Sequence, residues 1–165
     1  MARSEKDQSN RQVLIEDAHI LFRNFGGAEG PYNRAGDRNF CVLLDDEIAE
    51  ALSADGWNVK ELDPKDEGDT PTPYLQVSVK YEIRPPRVVM ISSTGKTNLT
   101  AETVHTLDYA DIAKADVLIN PYDWEVNGKK GTKAYLKSLF VTIEEDALEL
   151  KYADVNDPDD VADVD

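Results

Sequence analysis

Short runs rich in β-branched and aromatic residues constrain this chain more than any other feature of its sequence. Seven such runs, separated by Gly, Pro and Asn, occur between residues 13 and 143: VLIEDAHILF, RNFCVLL, YLQVSVKYEI, RVVMI, ADVLI, YDWEV and AYLKSLFVTI. Their lengths, and the alternation of apolar with polar residues that is clearest in YLQVSVKYEI, are typical of β-strands. The sequence therefore predicts a mainly β domain.

Local signals add one hairpin and one or two short helices. Asn127-Gly128 tolerates the positive φ angles of a two-residue turn, so residues 122–126 and 132–143 should form adjacent antiparallel strands. A helix is predicted to begin near Asp45, where acidic residues occupy the first turn, and to end at Gly56. A weaker helical pattern spans residues 100–107.

The charge is concentrated in blocks. The chain of 165 residues has 18 Lys and Arg against 33 Asp and Glu, a net charge of −15, of which residues 45–73 contribute −8 and residues 153–165 contribute −6. Residues 153–165 have six aspartates, no base and no aromatic residue, which predicts a disordered acidic tail. We therefore expect a flexible N-terminus over 1–11, one folded domain over 12–152 and a tail over 153–165.

Several classes of protein and site are disfavoured. No window approaches the roughly 18 apolar residues of a membrane span, and the single Cys41 lies in an apolar run, which predicts a buried thiol and a cytoplasmic protein. His19 and His105 are isolated, and no nucleophile elbow is present, so we expect no enzyme activity, no metal site and no cofactor. A nuclease that holds a metal on Asp45, Asp46 and Glu47 is a minor alternative.

Three segments combine aromatic with basic residues, as single-stranded nucleic acid binding requires. The first is a glycine-rich, predicted mobile loop around residues 21–40, in which Phe22 and Phe40 are expected in the core and the candidate contacts are Arg23, Tyr32, Arg34 and Arg38. The second is the proline-stiffened connection with Tyr81, Arg84 and Arg87. The third is the hairpin with Tyr122, Trp124, Lys129, Lys130, Lys133, Tyr135 and Lys137.

Strand alternation predicts a patch across the hairpin, because Lys133, Tyr135 and Lys137 share one face of the second strand and Tyr122, Trp124 and Val126 share one face of the first. The alternative for the loop is that its aromatic residues are core and its arginines are solvated. The alternative for the hairpin, of equal weight, is an edge protected by lysines against aggregation.

The strings FRNF (22–25), YNRAGDRNFCV (32–42), DGWNVK (55–60), YLQVSV (74–79), PYDWEV (121–126) and KAYLK (133–137) together resemble the single-stranded DNA-binding proteins of tailed bacteriophages. The resemblance spans residues 13–152. It implies an OB-like antiparallel β-barrel, single-stranded DNA (ssDNA) as ligand in phage replication or recombination, and the cytoplasm of the infected bacterium as location.

The resemblance also implies a tail that recruits replication or recombination proteins, through Asp154, Asp157, Asp159, Asp160, Asp163 and Asp165. The tail departs from the familiar ones, which finish in an aromatic residue, because this chain ends in Asp165. A homodimer is left open.

The main alternative belongs to another class. An acidic interaction module, or a DNA mimic that inhibits a nucleic-acid-binding host protein, would use the carboxylates of residues 45–73 and of the tail as its surface. The two hypotheses differ in whether the aromatic and basic residues converge on one face or scatter.

Overall fold

A computed structural model gives the architecture and describes residues 11–64, 66–82 and 84–145. These residues form nine strands, one α-helix and one 3-10 helix. In chain order they are β1 (Val13–Ile15), β2 (Ile20–Asn24), β3 (Arg38–Leu43), α1 (Asp46–Ala54), β4 (Val59–Leu62), β5 (Thr72–Val79), β6 (Arg87–Ser92), β7 (Gly95–Leu99), the 3-10 helix (Val104–Asp108), β8 (Ile112–Val126) and β9 (Lys129–Ile143).

All nine strands belong to one sheet, which confirms the predicted mainly β class. Its main path runs β1-β8-β9-β5-β3-β2, with β4 on β5 and the β6-β7 hairpin on β9. Most strand pairs are antiparallel, as predicted, but the sheet also has parallel pairs. Strand β9 is 15 residues long, so it pairs antiparallel with β8 along one side and parallel with β5 and then β6 along the other. The sheet is barrel-like, mixed and not closed by pairing of its edge strands.

The two edge strands of this path, β1 and β2, are consecutive in the chain. Strand β1 pairs with β8 and β2 pairs with β3, and the four residues between them bend from one side of the sheet to the other. Two backbone hydrogen bonds hold the bend: the Ala18 amide donates to Ala115 at 2.7 Å, and the Leu43 amide donates to His19 at 3.0 Å. The bent segment therefore joins the opposite edges of the sheet covalently.

Helix α1 forms where the sequence predicts it. The Asp45 side chain accepts a hydrogen bond from the Ile48 amide at 2.7 Å, which caps the helix, and Ala49 and Leu52 are buried. The chain turns out of the helix at Gly56, whose φ of +91° suits glycine. The weaker helical pattern at 100–107 corresponds to the short 3-10 helix.

The core lies between the inner faces of the strands. Phe25 and Phe40 are fully buried and stack with ring centroids 5.0 Å apart. The placement of Phe40 in the core is confirmed, but that of Phe22 is wrong, since its side chain is 60% exposed. A bulge in β2 turns this ring outward: Leu21 lies opposite Cys41 and Asn24 opposite Asn39, so two residues face the single Phe40.

Cys41 should not react with an aromatic disulfide reagent in the native protein. Its side chain is buried, and desolvation raises the pKa of the thiol to about 11, so little thiolate is present at neutral pH. Thiol titration in buffer and in denaturant measures this, with one thiol appearing only on unfolding. Rapid titration of the native protein would contradict the burial of Cys41.

The described residues include the predicted start of the domain at residue 12, but they do not include 1–10 or 146–165, so the predicted end of the domain at residue 152 and the predicted tail lie outside them. Arg11, at the end of the predicted flexible N-terminus, is held by ion pairs to Asp55 and Asp123. Among the residues with a described structure, no helix is long and apolar enough to cross a membrane.

Candidate nucleic-acid interface

The β8-β9 hairpin presents its aromatic side chains on one face. Its turn has φ angles of +53° at Asn127 and +79° at Gly128, as the Asn-Gly pair predicts. Tyr122 lies opposite Lys133, and its ring centroid is 5.3 Å from that of Tyr135. The Lys133 ammonium is 5.5 Å from the Tyr135 centroid. Aromatic and cationic groups therefore adjoin on this face.

Trp124 extends this face toward the turn. It lies opposite Gly131, and a Cβ atom at position 131 would come within 2.9 Å of the indole ring. The absence of a side chain at Gly131 lets the ring lie against the backbone of β9. We call Tyr122, Trp124, Gly131, Lys133 and Tyr135 the hairpin face. Its residues include one base and no acid.

The opposite side of the hairpin is anchored to the barrel. Ala134 and Leu136 belong to the buried core. Nearer the turn, the Arg11 guanidinium donates to Asp55 at 2.9 Å, to both carboxylate oxygens of Asp123 at 2.7 and 2.9 Å, and to the Thr132 hydroxyl at 3.0 Å. These bonds fix this part of the hairpin relative to the end of α1.

The predicted alternation holds for Lys133 and Tyr135 and then changes at Lys137. The register between β8 and β9 shifts there, because Leu118 lies opposite Ser138 while Ile119 lies opposite Leu136. Lys137 is thus the extra residue of a bulge, and its side chain is exposed. Lys129 and Lys130 are exposed beside the turn.

A groove of about 450 Å³ lies next to the hairpin face, between the start of β4 and β9. Its walls include Asn58, Gln76, Trp124, Lys130 and Lys133. The groove arises because β9 contacts β5 only at residues 134–135, while β4 occupies the earlier part of the same edge of β5. It offers amide and ammonium groups beside an indole ring.

The glycine-rich loop, which is predicted to be mobile, contains several hydrogen bonds from asparagine side chains. The Asn24 side chain donates a hydrogen bond to the carbonyl of Ala28 and accepts one from the N–H of Ala28. The Asn33 side chain donates to the carbonyls of Ala28, Arg34 and Asp37. Tyr32 projects fully into solvent from this loop. The Arg34 side chain is 91% exposed, and its Nε atom lies 3.5 Å from Oδ2 of Asp37.

Arg23 and Arg38, two candidate contacts from the same segment, are engaged within the protein. Arg23 donates to the carbonyls of Leu107 and Ala110 at 2.8 and 2.6 Å. Arg38 donates to the carbonyl of Phe25 at 2.8 Å, and its guanidinium carbon lies 5.5 Å from the Tyr81 ring centroid. Both side chains are half-buried. Arg23 links β2 to the 3-10 helix and the residues after it, and Arg38 links the start of β3 to the residue that follows β2.

The connection before β6 contributes a separate cationic surface. Arg84 and Arg87 are exposed, and the Arg87 guanidinium carbon lies 5.2 Å from the ring centroid of Phe140 on β9. Tyr81 is half-buried beneath Arg38. Of the three predicted segments, the hairpin is the one whose aromatic and basic residues meet on a single face.

Two aromatic residues outside the predicted set share the outer side of the sheet. The exposed Phe22 ring meets Tyr74 of β5 edge to face, at 6.1 Å and 72°. Tyr74 lies two residues from the polar Thr72 and Gln76 in an alternating strand, and this period could have marked its outward direction. No sequence signal marks the bulge that exposes Phe22.

Comparison with known families decides the identity of the chain. The sequence model of the family described as "Putative phage ssDNA-binding domain" matches residues 3–165. The chain belongs to this family.

Solved structures show the same fold as this phage ssDNA-binding domain. The single-stranded DNA-binding protein from bacteriophage Enc34 in complex with ssDNA superposes with a TM-score of 0.52 at 12% identity, over 82% of this chain and 88% of that chain. Another structure of the Enc34 protein gives 0.51 at 11% identity, over 88% and 90%. No curated protein sequence matches the chain significantly.

Proposed function

We propose that this protein binds single-stranded DNA through the hairpin face and the adjoining groove, and that it coats and protects ssDNA during phage replication or recombination. The observation that carries the proposal is the convergence of Tyr122, Trp124 and Tyr135 with Lys133 on one face. Membership of the family supports the ligand, as does the Enc34 structure in complex with ssDNA.

The chemistry of the hairpin face favours a single strand over a duplex. Its rings are exposed side by side, with Tyr122 52% and Trp124 39% exposed, and can stack on bases only when those bases are unpaired. Lys133, with Lys129 and Lys130 beside it, would neutralise phosphates locally on a chain whose net charge is −15.

The observed convergence weighs against the acidic-mimic alternative, in which the aromatic and basic residues would scatter. We also keep the prediction that the protein is not an enzyme. Asp45 is occupied as the cap of α1, and the described part of the chain has no cluster of His, Cys, Asp and Glu that could hold a metal ion. A nuclease site at residues 45–47 therefore finds no support.

The recruitment of replication or recombination proteins by the tail is a further part of the proposal. It is supported by the sequence alone, since residues 153–165 carry six aspartates and no base. Such a segment would bind a basic surface of its partner. Location in the cytoplasm of the infected bacterium and assembly as a homodimer also stay predictions. Light scattering with and without oligonucleotide would test the homodimer.

A labelled homopolymer strand should bind more tightly than a duplex of matched sequence. Because phosphates are neutralised on a single strand, the logarithm of affinity should fall against the logarithm of salt concentration with a slope of about −0.7 per phosphate contacted. Fluorescence anisotropy across a salt series measures both quantities. Equal binding of the two ligands, or a response independent of salt, would reject this function.

A further inference from the structure

The exposed ring of Phe22 occupies a strained backbone position. Its φ of +49° lies in the left-handed region, which an aromatic L-residue rarely adopts. The bulge in β2 creates this conformation and turns Phe22 outward while Arg23 reaches the carbonyls of Leu107 and Ala110. Glycine adopts such a φ without a steric penalty, so a bulge that served Arg23 alone would favour glycine at position 22.

The Phe22 ring is not packed in the core, so core packing does not explain its presence at this position. It is 60% exposed and meets Tyr74 edge to face, with the centroids 6.1 Å apart. An apolar ring held in solvent on a strained backbone is a pattern associated with functional sites. Phe22 and Tyr74 are here called the outer pair.

The outer pair and the hairpin face lie on the same side of the sheet. Along β5 the side chains of Tyr74, Gln76 and Ser78 point outward, while Leu75 and Val77 are buried. Ser78 lies opposite Tyr135 of the hairpin face. Four residues of strand and one strand spacing separate Tyr74 from Tyr135, a distance of roughly 14 Å.

Polar and cationic groups occupy the surface between the two aromatic sets. Lys60 of β4 lies opposite Tyr74 and is exposed. Gln76 is level with the groove, whose wall also includes Lys133. A DNA strand that crosses from the hairpin face toward β2 would thus meet amide and ammonium groups and then a second pair of aromatic rings.

We propose that the outer pair is a second base-stacking site, which extends the ssDNA path from the hairpin face across β5 to β2. This inference rests on the proposed function, because it assigns a further subsite for the same ligand. The chemistry of the site is that of a nucleobase stacked on exposed rings, with Lys60 contacting the adjacent phosphate.

The decisive variant is Phe22→Gly, which keeps the bulge and relieves its strain. We expect the melting temperature to stay equal to that of the wild type or to rise, while affinity for a strand of about twelve nucleotides falls by roughly five-fold or more, as the loss of one stacking site predicts. A purely structural Phe22 would give the opposite pair of results. Tyr109→Ala removes an exposed ring that belongs to neither the outer pair nor the hairpin face, and it is the matched control.

Strand length and cross-linking provide independent readouts. On an oligonucleotide of about four nucleotides, which fills the hairpin face alone, Phe22→Gly should bind like the wild type. Oligonucleotides that carry 5-iodouracil should cross-link on irradiation to peptides containing Phe22 or Tyr74, as well as to the hairpin.

The outcomes separate this inference from the proposed function. If the wild type binds no ssDNA, the proposed function fails. If the wild type binds, hairpin variants weaken binding, and Phe22→Gly binds both lengths like the wild type without cross-links at the outer pair, the second stacking site alone is wrong.

Discussion

Replacement of Trp124 and Tyr135 together by Ala should reduce ssDNA affinity by at least about 30-fold. Each ring that stacks on a base contributes about 1 to 3 kcal/mol, so the loss of two such rings costs roughly 2 to 6 kcal/mol of binding free energy. Both side chains are partly exposed on the hairpin face, and Ala134 and Leu136 stay in the core beneath them. Anisotropy titration measures the affinity, and a thermal melt shows that the fold is retained.

Two further variants sharpen this experiment. Gly131→Ala keeps both rings but forces the indole of Trp124 to move, because the added Cβ would lie within 2.9 Å of it, and should give a smaller loss of affinity. Tyr109→Ala, which removes a ring that is 87% exposed elsewhere, should leave affinity unchanged. Wild-type affinity in the double variant would show that the hairpin face does not bind the strand.

Arg23→Met should destabilise the protein by about 2 to 4 kcal/mol without weakening ssDNA binding by the folded fraction. The substitution keeps an unbranched side chain but removes two charge-assisted hydrogen bonds, at 2.8 and 2.6 Å, and leaves the half-buried carbonyls of Leu107 and Ala110 without these donors. Denaturant unfolding measures the free energy, and anisotropy below the unfolding transition measures the affinity.

Arg23→Lys is the matched control for this substitution. It retains a cationic donor that reaches the same carbonyls, so its free energy of unfolding should lie between those of the wild type and Arg23→Met. A loss of ssDNA affinity in the stable Arg23→Lys variant, with little change in unfolding, would instead place Arg23 in contact with the strand.

The β-rich class and the hairpin could be predicted because each depends on local sequence. Alternation marked YLQVSVKYEI as a strand, and Asn127-Gly128 fixed the register that brings Tyr122 and Lys133 together. The start of α1 near Asp45 likewise follows from local sequence, because acidic residues occupy the first turn. These features needed no knowledge of distant parts of the chain.

The bulges and the long-range pairings could not be predicted in this way. Phe22 has the composition of a core residue, and its exposure follows from an extra residue in β2 relative to β3. The roles of Arg23 and Arg38 depend on carbonyls brought close by tertiary folding. The parallel pairing of β9 with β5 and β6 joins segments far apart in sequence, which local periodicity does not encode.

The pairing of β1, at the start of the bent segment, with β8 has a consequence for folding during synthesis. Val13 lies opposite Ile119, so the first described strand waits for its partner while about 100 further residues are made, roughly 5 to 20 s at ordinary rates of synthesis. Strand β9, the last described strand to emerge, then joins β8, β5 and β6 at once. A nascent chain without β9 lacks both the centre of its sheet and three of the five residues of the hairpin face, so we expect completion of the sheet and the capacity to bind ssDNA to arise together.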